Sequence, residues 1–174
     1  KRAVEKIESI PGRMEVVIKE PLKVIVDYAH TPAALEKVYE MFEGRKICVL
    51  GSAGGGRDKW KRPELGKIAS KYCDEIILTN EDPYDEDPDK IVNDVAQGIN
   101  SKKPTIIMDR RLAIREACRL AKQGDSVLIT GKGTDPYIMG PNETKTPWSD
   151  AEVAREEIKK LGVIPAFAGM TNSY

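Results

Sequence analysis

The chain has 174 residues, with 28 Lys and Arg balanced by 28 Asp and Glu, 40% hydrophobic and 32% charged residues. That composition fits one globular domain with a short appendage. The charge balance leaves no electrostatic footprint for nucleic acid or an anionic membrane surface, and no apolar run is long enough to span a bilayer. The opening KRAVEKIESI is basic but lacks an apolar core, so it is not a secretory signal, and the absent initiator Met suggests a fragment or a processed chain.

In chain order, the first strong signal is the near-continuous apolar run LKVIVDY at 22–28. Leu35, Val38, Tyr39 and Phe42 then recur at helical spacing, with Thr31 as N-cap and Pro32 at the first helical position. KICVLG at 46–51 reads as the next strand. Pro63 opens a second helix with Leu65, Ile68, Ala69 and Tyr72 on one face. EIILT at 75–79 is a strand, and Asp87-Pro88 starts a third helix carrying Ile91, Val95 and Ile99. PTIIM at 104–108 is a strand, Asp109 caps a fourth helix with Ala113, Ala117, Leu120 and Ala121, and DSVLITG at 125–131 is a strand. Ser149 and Glu152 form the S-x-x-E box of a last helix running to Leu161.

Apolar strands alternating with helices predict an α/β fold: an open, Rossmann-like, mostly parallel sheet with helices on both faces. Ligands of such sheets bind beyond the carboxyl ends of the strands, so the loops of interest begin at Asp27, Gly51, Thr79, Asp109 and Gly131. The three cysteines, Cys48, Cys73 and Cys118, form no C-x-x-C pair, and His30 is the only histidine. This excludes a zinc site or a disulfide framework and predicts three buried free thiols in a reducing compartment, the cytoplasm. The tail 163–174 has no amphipathic period.

The loop after Gly51 sets Gly54, Gly55 and Gly56 before a basic cluster, Arg57, Lys59, Lys61 and Arg62. Glycines let backbone N–H groups approach an anion, and an arginine grips a carboxylate bidentately. The plainer reading is a solvated basic turn. The loop is neither a G-x-x-x-x-G-K-[ST] phosphate loop nor a dinucleotide fingerprint. TNEDPYDEDP at 79–88 concentrates acids at a strand exit, part of them serving only as helix caps. An acidic loop beside a basic one suits a zwitterion such as an amino acid. Asp27 and His30 in DYAHTP are placed for a ribose hydroxyl and a phosphate, or else for turn packing.

Six stretches together, PGRMEVV, DYAHTPAALEKV, GGGRDKWKRPELGKIA, TNEDPYDEDPDKI, DRRLAIREA and VLITGKGTDPY, resemble the C-terminal domain of Mur ligases. The resemblance is greatest to those that add the third amino acid to UDP-N-acetylmuramoyl-dipeptide in peptidoglycan synthesis. It implies an ATP-dependent ligase of three domains, in which residues 1–12 end the central ATPase domain or form a linker and 13–162 form the C-terminal domain; 163–174 have no counterpart in the resemblance and are either a loosely attached terminus or a sequence foreign to the domain. The cofactors implied are ATP and Mg2+, bound mainly by the central domain, so that this chain alone would be inactive. The implied partners are UDP-N-acetylmuramoyl-dipeptide, an acceptor amino acid and the chain's own N-terminal and central domains, with no nucleic acid, no membrane and no metal ligand in this domain. By position, the resemblance assigns Arg57, Glu81, Asp82, Pro83, Tyr84, Gly131 and Asp135 to the amino acid, with Arg57 on its carboxylate, and Arg13, Asp27 and His30 to the nucleotide.

Two departures from the family pattern bear on the acceptor. Tyr84 stands where diaminopimelate-adding members often carry an arginine, and Thr134-Asp135 replaces a common His-Glu. With no cation at Tyr84 and with Glu81, Asp82 and Asp85 around it, like-charge proximity predicts L-lysine over meso-diaminopimelate, unless Arg62, Arg110 or Arg111 supplies the missing charge. The rival readings are a folylpolyglutamate- or cyanophycin-type ligase of the same superfamily, and a stand-alone amino-acid or nucleotide-binding module without chemistry.

Overall fold

A computed structural model describes residues 10–56 and 58–162. Six strands form the main sheet: β1 (Glu15–Ile18), β2 (Lys23–Asp27), β3 (Lys46–Leu50), β4 (Glu75–Leu78), β5 (Thr105–Ile106) and β6 (Ser126–Thr130). Their order is β1-β2-β6-β3-β4-β5, parallel throughout except for β1, which pairs antiparallel with β2 at the edge. The open, mostly parallel sheet expected from the strand–helix alternation is what the chain forms.

Five helices cover it: α1 (Pro32–Glu40), α2 (Lys61–Tyr72), α3 (Pro88–Ala96), α4 (Arg110–Leu120) and α5 (Asp150–Leu161). Side chains alternate across each strand. Val24, Val26, Ile47, Val49, Val127 and Ile129 face α4 and α5, while Ile25, Cys48, Leu50, Ile76, Leu78 and Leu128 face α1, α2 and α3. Both faces are therefore buried, which is why the strands read as continuous apolar runs rather than as alternating ones. The caps match the expectations: the side chains of Thr31, Asp87, Asp109 and Ser149 each accept a backbone N–H of the turn they start. Helix α2 begins at Lys61 rather than at Pro63, which sits in the first turn, where a missing N–H costs no helical bond.

Three elements depart from the expectations. The 104–108 strand shrinks to Thr105–Ile106 at the sheet edge. The edge strand β1 was not foreseen, nor was a hairpin of β7 (Tyr137–Met139) and β8 (Lys145–Pro147) between β6 and α5. The expectation of three free thiols is corrected: Cys48 and Cys73 form a disulfide with Cα atoms 6.0 Å apart, and only Cys118 is free and buried among the described residues. The cause is topological. Cys48 points from β3 into the α2 layer, and Cys73 ends α2 just before β4, which runs beside β3 with Cys48 in register with Ile76. A sequence separation of 25 residues conceals that meeting.

Helices α2 and α5 lie on opposite faces of the sheet, yet the chain segments leading to them leave from the adjacent strands β3 and β6. The loops diverge there, and a crevice opens at the carboxyl ends of the strands.

Candidate functional site

That crevice holds a cavity of 190 Å³ lined from four strand exits: Tyr28 and His30 after β2, Ala53, Gly54, Asp58 and Lys61 after β3, Glu81, Asp82 and Tyr84 after β4, and Gly131 and Asp135 after β6. The loop beginning at Asp109 does not line it. Its first helical residue, Arg110, lies behind the cavity instead, gripping Asp150 through Nε (2.8 Å) and Nη2 (2.7 Å) and donating to the Thr130 carbonyl.

The acidic loop is locked from several sides. Both oxygens of Asp82 accept from Lys132 Nζ, at 2.8 and 2.7 Å, and its Oδ1 also accepts the Met139 N–H, fastening β7 over the loop. Asp85 accepts the Asn142 N–H. Glu86 accepts the Gly56 N–H and meets Lys59 and Arg62; the backbone bond leads in holding its carboxyl down at about 2, well below the usual carboxylate range. Arg62, fully buried, also pairs with Asp94 and donates to the Ala53 carbonyl. Gly54 is the seam between the two loops: its N–H donates to the Asp82 carbonyl, and a Cβ there would sit 2.1 Å from the Pro83 carbonyl oxygen.

Glu81 differs from its neighbours. It is 4% exposed, and its Oε2 has no hydrogen-bond partner. Burial pushes its carboxyl up to about 7, against a partial pull downward from Arg110. Oε2 presses against Gly131, whose φ of +108° favours glycine and where a Cβ would lie 2.1 Å away. Pro83 is buried in the loop, and Tyr84, at φ +51°, lays its ring against Gly55 while its N–H donates to Met139. Asp135 reaches to 3.7 Å from Lys132.

On the β2 side, Asp27 accepts the Met14 and Ala29 N–H groups, both at 2.8 Å. His30 Nδ1 bonds the Tyr28 carbonyl at 2.9 Å, its ring edge-on to Tyr28 at 4.7 Å, and the Arg13 guanidinium lies 4.9 Å from the Tyr28 ring centre. Of the residues singled out in the sequence, Glu81, Asp82, Tyr84, Gly131, Asp135 and His30 thus converge on one cavity. Arg57 lies outside the described residues. Sequence reasoning passed over Tyr28, Asp58 and Lys61 as lining residues. The run 57–62 is dominated by cations, and nothing in it tells exposed Lys59, in the turn before α2, from buried Lys61, the first residue of the helix.

The described residues contain no cluster of three His, Cys, Asp or Glu suited to a metal ion, so no Mg2+ step is assigned to this chain. Arg13, Tyr28 and His30 form one group, a cation and a histidine against an aromatic face.

The mostly parallel sheet with helices on both faces and a polar crevice over its strand ends defines an α/β domain of the open, Rossmann-like kind. The family description "Mur ligase, glutamate ligase domain" matches residues 12–133. The chain belongs to the Mur ligase family. It is 49% identical over 166 residues to the UDP-N-acetylmuramoyl-L-alanyl-D-glutamate–2,6-diaminopimelate ligase of Aquifex aeolicus, covering 91% of this chain and 34% of that protein. A solved structure of a ligase of that same name superposes with a TM-score of 0.79 at 34% identity, over 92% of this chain and 34% of the other. The folylpolyglutamate synthase/dihydrofolate synthase of Yersinia pestis shares the fold, with a TM-score of 0.57 at 20% identity over 90% of this chain and 32% of that one. This chain therefore spans about a third of the length of the curated relatives it matches.

The preference for L-lysine is corrected by these names, which are those of diaminopimelate ligases. The physical reason is visible in the loop. Asp82, Asp85 and Glu86 are already engaged by Lys132, the Asn142 N–H and the Gly56–Arg62 group, so they do not present the repulsive field the bare sequence implied.

Proposed function

We propose that this chain is the amino-acid-presenting domain of an ATP-dependent ligase that joins diaminopimelate to UDP-N-acetylmuramoyl-L-alanyl-D-glutamate in peptidoglycan synthesis. The observation carrying the reading is the identity of 49% to a ligase of that name along 91% of the chain. The cavity at the strand ends supports it.

In this reading the substrate's terminal carboxylate is activated by ATP as an acyl phosphate, with Mg2+ and most of the nucleotide held by the central domain. The acceptor amine attacks the acyl carbon, phosphate leaves, and the amine proton is released to form the amide. The chain's own part is to hold the acceptor so that its amine meets the acyl carbon, and to keep water from a hydrolysable intermediate. Arg57 takes the carboxylate beside the reacting amine. Glu81 and Asp135, facing the same cavity, accept from ammonium groups, while Asp82, Pro83 and Gly131 shape it. Arg13, Tyr28, Asp27 and His30 form the wall turned to the nucleotide. No helix among the described residues is long and apolar enough to cross a membrane, and a reaction on ATP and a UDP-sugar belongs to the cytoplasm.

Purified full-length enzyme is expected to release phosphate from ATP only when both UDP-N-acetylmuramoyl-L-alanyl-D-glutamate and diaminopimelate are present. The 174-residue chain alone is expected to release none. Phosphate release with a folate and glutamate, and none with the UDP-sugar dipeptide, would move the chain to the other branch of the superfamily.

A further inference from the structure

Diaminopimelate brings two carboxylates to the cavity, one beside the reacting amine and one at the far end. Arg57 serves only the first in the proposed reading, and Tyr84 offers no charge for the second. The three arginines that the sequence nominated as substitutes are committed elsewhere: Arg62 to Glu86 and Asp94, Arg110 to Asp150, Arg111 to Glu156 and Glu157. Lys132 is held by both oxygens of Asp82.

One cation in the cavity is not spent. Lys61 lines it and is 9% exposed, and no carboxylate among the described residues comes within ion-pair distance of its Nζ. Most of the side chain is packed away and its ammonium, which is not among the enclosed unpartnered groups, stays open to an anion entering the cavity, where reduced solvation strengthens the attraction. Glu81 lines the same cavity, and its buried Oε2 has no hydrogen-bond partner, so a cation and a carboxyl that no ion pair consumes belong to one site. That pairing suits an amino-acid end, carboxylate to one group and ammonium to the other.

We infer that Lys61 is the specificity-determining residue that receives the distal carboxylate of the acceptor, taking the place of the arginine absent at Tyr84. The inference rests on the proposed diaminopimelate reading and adds to it the residue that tells this acceptor from L-lysine, which lacks only that carboxylate.

The test uses full-length enzyme with Lys61→Met, Lys61→Gln and Lys61→Arg, and compares kcat/KM for meso-diaminopimelate and for L-lysine. The ratio of the two is independent of the fraction of enzyme that is folded. Lys61→Met and Lys61→Gln are expected to lower the ratio about 30-fold or more, as removal of one partner of a desolvated charge pair does. Lys61→Arg should retain most of it. Where the parent turns over no L-lysine, the KM for diaminopimelate should rise by the same factor while those for ATP and the UDP-sugar dipeptide stay within about 3-fold. An unchanged ratio, or an equal rise in every KM, overturns the role of Lys61 and leaves the diaminopimelate reading standing. A parent enzyme that does not take diaminopimelate overturns both.

Discussion

Replacing Glu81 with glutamine should stabilise the domain, and the gain should depend on pH. Glu81 is buried at the end of β4, its Oε2 has no donor, and its carboxyl is pushed up to about 7 from an ordinary 4.5, chiefly by desolvation. In the unfolded chain the carboxyl loses its proton near 4.5, whereas the folded chain keeps it until near 7. Between those values the folded state binds more protons than the unfolded one, so stability falls as pH rises. The gap corresponds to a penalty of at most about 3.5 kcal/mol at about 1.4 kcal/mol per pH unit, absent below the unfolded value and fully present above the folded one. Glutamine fills the same space without the charge. Urea unfolding of parent and Glu81→Gln should therefore give nearly equal stabilities at about pH 4 and a glutamine advantage approaching about 3.5 kcal/mol at about pH 8. An advantage of the same size at both pH values would mean that packing, not ionisation, separates the two. A loss at the higher pH would mean that Arg110 already compensates the carboxylate, and either result refutes the reasoning.

Asp150→Ala strands the buried Arg110 guanidinium and removes the acceptor of Trp148 Nε1; it should cost about 3–5 kcal/mol, read as a fall in melting temperature. Gly131→Ala places a methyl 2.1 Å from Glu81 Oε2 at a left-handed φ, so the acceptor KM should rise by at least about tenfold, with much smaller changes for ATP, in steady-state kinetics.

The fold was legible because its signals are local. A parallel sheet covered on both faces forces unbroken apolar runs, and Thr31, Asp87, Asp109 and Ser149 announce the helices they cap. What stayed hidden depends on contacts remote in sequence. Strand β1 is an edge strand whose residue Val16 faces solvent, so it carries little of the pattern of a buried strand. The β7–β8 hairpin is exposed, apart from the Met139 contacts that tie it to Asp82 and Tyr84. The Cys48–Cys73 bond needs a β–α–β turn of the chain to bring its ends together.

The lining of the cavity was partly legible in the sequence and the pairing of its charges was not, and the difference is physical. The loops leaving the carboxyl ends of β2, β3, β4 and β6 meet at that crevice, whereas the loop after the edge strand β5 does not line it. The field a ligand meets there depends on which charges are already paired, and pairing is a matter of distances. The acids of TNEDPYDEDP look repulsive to a second carboxylate when counted along the chain. In three dimensions Lys132 closes on Asp82, Arg62 and Lys59 on Glu86, and Asp85 turns to a backbone N–H, while burial disfavours ionisation of Glu81. Among the described residues the same process consumes Arg62, Arg110 and Arg111 and leaves Lys61 in the cavity without an ion pair, which the basic run did not distinguish from its neighbours. If the proposed acceptor reading holds, the charges that remain unpaired after folding set acceptor choice, and a substitution that frees or occupies one of them, as at Lys61, should shift specificity more than one that changes the total.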